Sequence, residues 1–152
     1  MLSRKAKYAL KALMGLAGAP PGEPVRIADL ARRERIPAKF LELILLELRN
    51  RGVLQSRKGK GGGYLLAKDP RKINIGELVR HFDGPLAPVP CASQTAYARC
   101  QDCRDEAGCG VRWVMKEVRD ATARILDRTS LADMLKHDAG AGGMAVEPHL
   151  RR

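Results

Sequence analysis

Apolar residues recur every three or four positions along several stretches of the chain, which is the spacing of one face of a helix. The first stretch is Arg4–Ala17, and Ser3 precedes it as a capping residue. A shorter stretch covers Ile27–Glu34, and a third covers residues 37–50 and ends before Gly52, a natural helix stop. The pattern therefore predicts three helices in the first fifty residues.

Only Arg35 and Ile36 separate the second and third of these helices. Two helices joined this tightly form a helix-turn-helix, whose second helix can lie in the DNA major groove. Beyond Gly52, residues 53–54 begin a strand and residues 64–66 form a returning one, which residues 25–26 are expected to join. This hairpin would act as a wing, so the fold class is mainly α with a small β-hairpin, a winged helix-turn-helix.

The hairpin tip carries Arg57, Lys58 and Lys60 among four glycines, three of them consecutive. Glycine permits backbone conformations and close approaches that side chains forbid. Such a loop can cradle phosphate or lie against a nucleic-acid groove. A flexible, solvated hairpin tip is the alternative, and the loop alone favours neither.

The outer face of the third helix begins with Ala38, Lys39, Glu42 and Leu43. Lys39 can reach a guanine edge or a phosphate, and Glu42 can accept from a cytosine amino group. A solvated surface carboxylate is the alternative for Glu42. We predict that Lys39 and Glu42 read bases, while the three wing cations mainly hold the phosphate backbone.

The distribution of charge supports a nucleic-acid partner. Residues 1–80 of the 152 hold 18 Lys or Arg against 7 Asp or Glu, whereas residues 81–152 hold 10 of each. The whole formal excess of +11 therefore lies in the half that contains the wing. Such asymmetry indicates a polyanion-binding half, with nucleic acid the first candidate and an anionic membrane the second.

Neither a membrane span nor a signal peptide is predicted. No run approaches the roughly 20 apolar residues that a span needs. Lys7 and Lys11 interrupt what would be the apolar region of a signal peptide. A cytoplasmic protein is expected, and cysteines in a reducing compartment more often serve metal or redox chemistry than structural disulfides.

The second half of the chain is organised around a cysteine-rich loop. Asn74 caps a short helix through His81, and no convincing periodicity follows between Pro85 and Gly110. That stretch contains four cysteines in the pattern C-x8-C-x2-C-x5-C: Cys91, Cys100, Cys103 and Cys109. Four thiols this close can converge on one inorganic centre.

The cysteine residues alone leave three kinds of site open. Thiolates are soft ligands that suit zinc or an iron–sulfur cluster. Only Cys100 and Cys103 form a CxxC pair, so the spacing neither requires nor excludes zinc. A thiol switch, with a disulfide between these two, is the third option. No catalytic set is evident, because the three histidines lie far from the loop in sequence, and no enzyme activity is expected.

Helical spacing resumes at the end of the loop. Five apolar residues spaced 3, 4, 3 and 4 apart form the seam of a short coiled coil: Val111, Val114, Val118, Ala121 and Ile125. This seam predicts a dimerisation helix, and packing on its own domain is the alternative. Ser130 and Asp133 cap a last short helix through Leu135. The predicted ranges are a DNA-binding domain at 1–83, the cysteine loop at 84–110, the dimerisation and terminal helices at 111–136 and a disordered tail at 137–152.

The chain resembles the Rrf-two family of bacterial winged-helix regulators. The resemblance runs from Leu2 to about Leu135, and the glycine–tyrosine wing followed by a cysteine loop is its most specific part. The segments that carry it are Leu2-Ser3 with Tyr8-Ala9-Leu10, Ile36-Pro37 with Phe40-Leu41, Gly61-Gly62-Gly63-Tyr64-Leu65-Leu66-Ala67, Asp69-Pro70 and Ser130-Leu131-Ala132-Asp133.

This resemblance implies a homodimer that binds palindromic promoter DNA. It further implies a regulator, expected to be a repressor, that senses iron, redox state or nitric oxide through a 2Fe-2S or 4Fe-4S cluster. The alternative keeps the DNA-binding fold but makes the cysteines a zinc site or a thiol switch. A small cluster carrier or redox protein with an incidental basic face is a third hypothesis.

The sequence departs from the family pattern at several ligand positions. Relatives with clusters have cysteines at C-x5-C-x5-C and a histidine three residues later, and here Tyr97 replaces the middle cysteine and Arg112 the histidine. Lys7 stands where some nitric-oxide sensors place a carboxylate, and Lys58 replaces the usual wing arginine. The resemblance therefore implies Cys91, Cys103 and Cys109 as ligands. Cys100 is an extra cysteine relative to the family, and we predict it as the fourth ligand because Arg112 and Lys7 occupy the positions where relatives offer a fourth donor.

Overall fold

A computed structural model describes residues 2–140 of the chain. This part contains six α-helices and a two-stranded antiparallel sheet, which confirms the predicted fold class. Short 3₁₀ turns lie at Pro70–Lys72 and Pro90–Ala92. In chain order the elements are α1 (Arg4–Ala17), α2 (Ile27–Glu34), α3 (Ala38–Asn50), β1 (Leu54–Arg57), β2 (Gly63–Leu66), α4 (Ile75–Asp83), α5 (Gly110–Asp127) and α6 (Leu131–Gly140).

The described residues form two compact units. Within residues 2–140, one unit comprises Ala9–Ile73 with residues 130–140, and the other comprises residues 2–8 with Asn74–Thr129. The domain ranges taken from the sequence remain a prediction. α6 continues to Gly140, five residues beyond the predicted end of the terminal helix, and the rest of the predicted tail lies outside the described residues.

The first unit, which holds the wing, has an aliphatic core formed largely by leucines. α3 contributes its apolar stripe to that core, as its helical spacing predicted. The largest fully buried side chains of the unit are Leu13, Leu30, Leu41, Ile44, Leu45, Leu48, Leu54 and Leu131. Burying one stripe of α3 in this way leaves its opposite face toward solvent.

The turn between α2 and α3 is held by its backbone. Arg35 adopts a left-handed conformation with φ 54° and ends α2. The next amide, that of Ile36, donates to the Ala31 carbonyl at 2.9 Å, and the Ile36 side chain is buried. This backbone pairing satisfies carbonyls at the end of α2 and anchors the start of the helix that follows.

The wing pairs β1 with β2 in a register that joins Leu54 to Leu66 and Arg57 to Gly63. The short strand predicted at residues 25–26 is a single bridge, in which Val25 and Tyr64 exchange hydrogen bonds of 2.8 and 2.9 Å. Gly63 has a φ of 156°, and a Cβ there would collide with the Val25 carbonyl. Glycine is therefore required where the hairpin passes residue 25.

In the second unit, polar contacts join the elements around α4. The Ser3 hydroxyl accepts from the Ala6 amide at 3.0 Å and caps α1, while the Ser3 amide donates to Asp83 at 2.8 Å. Asn74 caps α4 and donates to the Asp127 carbonyl at 2.8 Å. The Arg80 guanidinium pairs with the Asp127 carboxylate and lowers its pKa, so α4 is tied to the end of α5.

Replacing Gly63 with alanine should destabilise the protein more than replacing Gly59. Both glycines have positive φ, but only Gly63 faces a backbone atom at the site of a new Cβ. We expect Gly63→Ala to lower the free energy of unfolding by about 2 kcal/mol or more, and Gly59→Ala by about 1 kcal/mol. Urea unfolding of both variants measures the difference. Equal losses would mean that the contact with Val25 is not what demands glycine.

Candidate nucleic-acid interface and cysteine site

The outer face of α3 carries the two predicted base readers. Lys39 and Glu42 are both exposed, and their charged groups lie 3.5 Å apart in an i, i+3 pair. Exposed pairs of this kind contribute little to stability, so either side chain can exchange its partner for a ligand. The same face presents Leu43 and Leu46, which are 61% and 40% exposed.

The wing presents Arg57, Lys58 and Lys60 on a closed turn. The Gly62 amide donates to the Gly59 carbonyl at 2.9 Å, and Gly59, like Gly61 in the same turn, has positive φ. A Cβ at Gly62 would collide with the Arg57 carbonyl. Within the described chain none of the three cations has an ion-pair partner, so each remains available to an anion.

All four cysteines line one pocket of about 440 Å³ at the N-terminal end of α5. Cys91 is buried, and the other three are partly exposed. The remaining lining residues are Asp102, Arg104, Asp105, Gly108, Val111 and Arg112. The loop therefore brings together four thiols that are spread over nineteen residues of sequence.

Backbone contacts order this loop between its cysteines. The Cys103 amide donates to the Cys100 carbonyl at 3.2 Å, and Arg99 donates to the Cys103 carbonyl at 3.1 Å. The Asp105 carboxylate accepts from the amides of residues 107 and 108, each at 2.9 Å. Cys109 is the N-cap of α5, where its Sγ accepts from the Arg112 amide at 3.4 Å.

The pKa of the Cys100 thiol is raised by its neighbours in the pocket. The largest contribution comes from the side chain of Cys91, and burial and the nearby charges of Cys91, Asp102 and Cys103 add to it. Cys100 therefore has Cys91 as a neighbour as well as Cys103, its partner in the CxxC pair. Because metal ions bind thiolates, loading this site would release protons.

The donor set fits a soft metal centre. Four thiols in one pocket supply the ligands that zinc and iron–sulfur clusters prefer. Among the described residues, no three Cys, His, Asp or Glu side chains are already grouped so that they could hold a metal ion. The four cysteines would have to move closer together to bind one centre.

Two arginines of α5 hold the first cysteine of the loop. Arg112 Nε donates to the Cys91 carbonyl at 3.1 Å, and Arg119 Nη1 donates to the Ala92 carbonyl at 2.7 Å. Arg119 is only 8% exposed and also pairs with Asp120 at 2.5 Å. The arginines are seven residues apart, so they lie on one face of α5. Arg119 has no role among the predictions made from the sequence.

The chain matches the Rrf2 family model, described as an iron-dependent transcriptional regulator, over residues 2–137. It belongs to the Rrf2 family. A Rhodobacter capsulatus protein named as an rrf2-like HTH-type transcriptional regulator is 47% identical over 138 residues, which cover 89% of this chain and 92% of that protein. The family and these relatives are regulators of transcription and not enzymes, and the chain is accordingly a DNA-binding transcriptional regulator.

Two solved structures of Rrf2 regulators share the fold. CymR, the global cysteine regulator of B. subtilis, has a TM-score of 0.74 at 28% identity, covering 90% of this chain and 97% of that one. IscR of T. potens has a TM-score of 0.72 at 29% identity, covering 97% and 93%. No helix in the described part of this protein is both long enough and apolar enough to cross a membrane.

The ligand spacing quoted for cluster-bearing Rrf2 proteins can be placed on this loop in two ways. If the first cysteine of the pattern is Cys91, the other two cysteine positions fall on Tyr97 and Cys103, and the histidine position falls on Glu106. If the last cysteine of the pattern is Cys109, the histidine position falls on Arg112. The Tyr97 hydroxyl donates to Glu106 at 2.6 Å, and that bond raises the pKa of Tyr97. In this structure Tyr97 and Glu106 therefore bind each other, and Arg112 supports the backbone.

The predicted seam of α5 is on the surface of this Rrf2 chain. Val111, Val114, Val118 and Ile125 are 42–66% exposed, and Ala121 is half-buried. The face that carries Arg112 and Arg119 is the one that packs on the helix's own unit. These four residues therefore do not pack on their own domain, which was the alternative expectation for the seam.

Proposed function

We propose that this Rrf2 protein is a homodimeric repressor that binds palindromic promoter DNA under the control of an iron–sulfur cluster. The observation that carries the proposal is the single pocket lined by all four cysteines at the start of α5. The description of the family as iron-dependent supports an iron-containing group in that pocket. A cytoplasmic location is part of the proposal.

The first unit would bind DNA through two separate surfaces. α3 would enter the major groove, where Lys39 and Glu42 face base edges. The wing would lie along the phosphate backbone, because Arg57, Lys58 and Lys60 project from a tight glycine turn with no described anionic partner. Two such units in a dimer would meet half-sites about 34–36 Å apart, one turn of DNA.

The cluster would be held by Cys91, Cys100, Cys103 and Cys109. When bound, it would supply sensitivity to iron, to redox state or to nitric oxide. The chain itself supplies a fixed end at Cys91, through Arg112, and a second end at Cys109, the cap of α5. A change of ligation at Cys109 would therefore act on the first turn of the helix that we propose as the dimer interface.

A thiol switch is the second candidate, and the convergence of four free thiols on one pocket supports it. An oxidant such as a peroxide would take two electrons from a pair of these thiols, which would release two protons and form a disulfide. One protein of this fold, CymR, is described as the global cysteine regulator of B. subtilis. Purification without oxygen, followed by iron, sulfide and free-thiol analysis and a visible spectrum, separates the two candidates.

Single Cys→Ala variants test the proposed ligands. We expect the variants at Cys91, Cys103 and Cys109 to lose the cluster, and the variant at Cys100 to lose it as well if that residue is the fourth ligand. Iron and acid-labile sulfide measured after anaerobic purification give the result. Gln101→Ala is the matched control, because Gln101 is exposed between two cysteines and does not line the pocket.

Two results would contradict the proposed iron–sulfur cluster. One is a full cluster in all four variants, and the other is wild-type protein isolated from cells with zinc alone. If only Cys100→Ala keeps the cluster, the other three ligands stand and the fourth is another residue.

Wing and helix variants test the division of labour on DNA. Lys58→Ala should weaken binding to all sequences similarly and reduce the slope of log affinity against log salt by about one. Lys39→Ala should cost about 1–3 kcal/mol at one position of the site and relax the preference there. Binding titrations at several salt concentrations measure both effects, and Lys136→Ala on α6 is the control. A change of sequence preference in Lys58→Ala would contradict the assignment.

Val118→Glu tests the dimer interface. A charge placed in the apolar seam should be buried without a partner, so the variant should be monomeric and bind promoter DNA weakly. Sedimentation equilibrium reports the mass. Arg124→Gln, which also lowers the net charge by one at an exposed position outside the five seam residues, is the control. A Val118→Glu dimer of wild-type affinity would place the interface elsewhere.

A further inference from the structure

α3 exposes two leucines that its core does not need. Its buried stripe is complete with Leu41, Ile44, Leu45 and Leu48, yet Leu43 and Leu46 project from the opposite side. Residues three apart are neighbours on a helix surface, so these two side chains form one apolar patch. A contiguous apolar patch on a protein surface is one mark of a binding site.

The surroundings of this patch indicate which ligand covers it. Lys39 lies four residues before Leu43, and the exposed Arg49 lies three residues after Leu46. The patch is therefore set between cations on the helix face that carries the base readers. Lys39 is already paired with Glu42, but an apolar partner protein would leave Arg49 without a counter-charge, whereas DNA supplies phosphates beside both cations.

The major groove contains one apolar group that such a patch can recognise. Thymine carries a C5-methyl group on its major-groove edge, while cytosine presents an amino group and no methyl. A helical side chain leans toward the N-terminus, so Leu43 covers the turn that holds Lys39. Leu43 and Lys39 would then face neighbouring base pairs.

We propose that Leu43, flanked by Leu46, reads the methyl group of a thymine in each half-site. The inference rests on the proposed entry of α3 into the major groove and goes beyond it by naming a base and an atom. Cytosine at that position would bring its amino group against leucine without a hydrogen-bond partner. Leu43 is therefore a specificity-determining residue, and its contact contributes little to affinity for unrelated DNA.

The test removes the methyl group without changing the base pairing. Wild-type protein, purified without oxygen, first selects sites from a pool of random-sequence DNA duplexes. Each thymine of the selected site is then replaced by deoxyuridine, symmetrically in both half-sites. At one position this replacement should weaken the affinity of the protein for the duplex about four-fold per half-site, or about sixteen-fold for both. The reason is that burial of one methyl-sized group is lost.

Leu43→Ala should bind the thymine and deoxyuridine duplexes with the same affinity. Lys39→Ala is the matched control on the same turn, and it should bind both more weakly while keeping the ratio between them. Thermal melting followed by circular dichroism checks that Leu43→Ala folds, which its exposure leads us to expect.

The outcomes distinguish this inference from the proposed function. If wild-type protein selects a site but no deoxyuridine duplex binds more weakly, the reading of a methyl group is wrong and DNA recognition stands. A thymine preference that survives in Leu43→Ala assigns the methyl to another residue and also overturns the inference. If neither the anaerobic nor the metal-stripped protein selects any site, sequence-specific DNA binding itself fails and the inference fails with it.

Discussion

The cysteine site depends on a buried guanidinium. Arg119 donates to the Ala92 carbonyl from inside the second unit, and its charge is balanced by Asp120. A buried charge is tolerated only when it is paired and hydrogen-bonded, so removing Asp120 would leave the buried guanidinium without its counter-charge. The contact therefore fixes where the turn at Pro90–Ala92 lies on α5, and with it the position of Cys91.

The two faces of α5 perform different tasks for this reason. One face is committed to the helix's own unit by Arg112 and Arg119, so the seam at Val114 and Val118 is left for another surface. α3 shows the same arrangement with apolar contacts, since its leucine stripe fills the core and its opposite face is presented outward. In both helices, what the structure buries determines what remains for binding.

The elements that periodicity and local caps determine could be predicted from the sequence. The stripe of α3, the Asn74 cap of α4 and the glycine wing depend on residues close together in the chain, and each lies where it was expected. The proximity of Cys100 to Cys91 could not be predicted, because it depends on how the eight intervening residues fold. Arg119 was missed because a lone arginine on an amphipathic helix is usually solvated. Its spacing of seven from Arg112 was the available indication.

The sequence placed Leu43 on the outer face of α3 but did not predict that the patch there is exposed. Leu43 was expected on the outer face, but a leucine in a leucine-rich helix is more often part of the core. Its exposure becomes informative once the structure shows that the core stripe is complete without it. The burial pattern of α3 therefore excludes Leu43 from the core and leaves it a role on the surface.

The cysteine loop is fixed at its two ends more firmly than between them. Cys91 is buried and held through its carbonyl, and Cys109 caps a helix, whereas Cys100 and Cys103 are supported by a single backbone turn and by Arg99. A centre bound by all four thiolates would tie the middle of the loop to both ends, and the free energy of binding would become folding free energy for the loop. Loss of that centre would release the middle first, while the arginine contacts kept Cys91 on α5. Any signal from the site would therefore reach α5 through Cys109 and the first turn of the helix, and not by detachment of the whole loop.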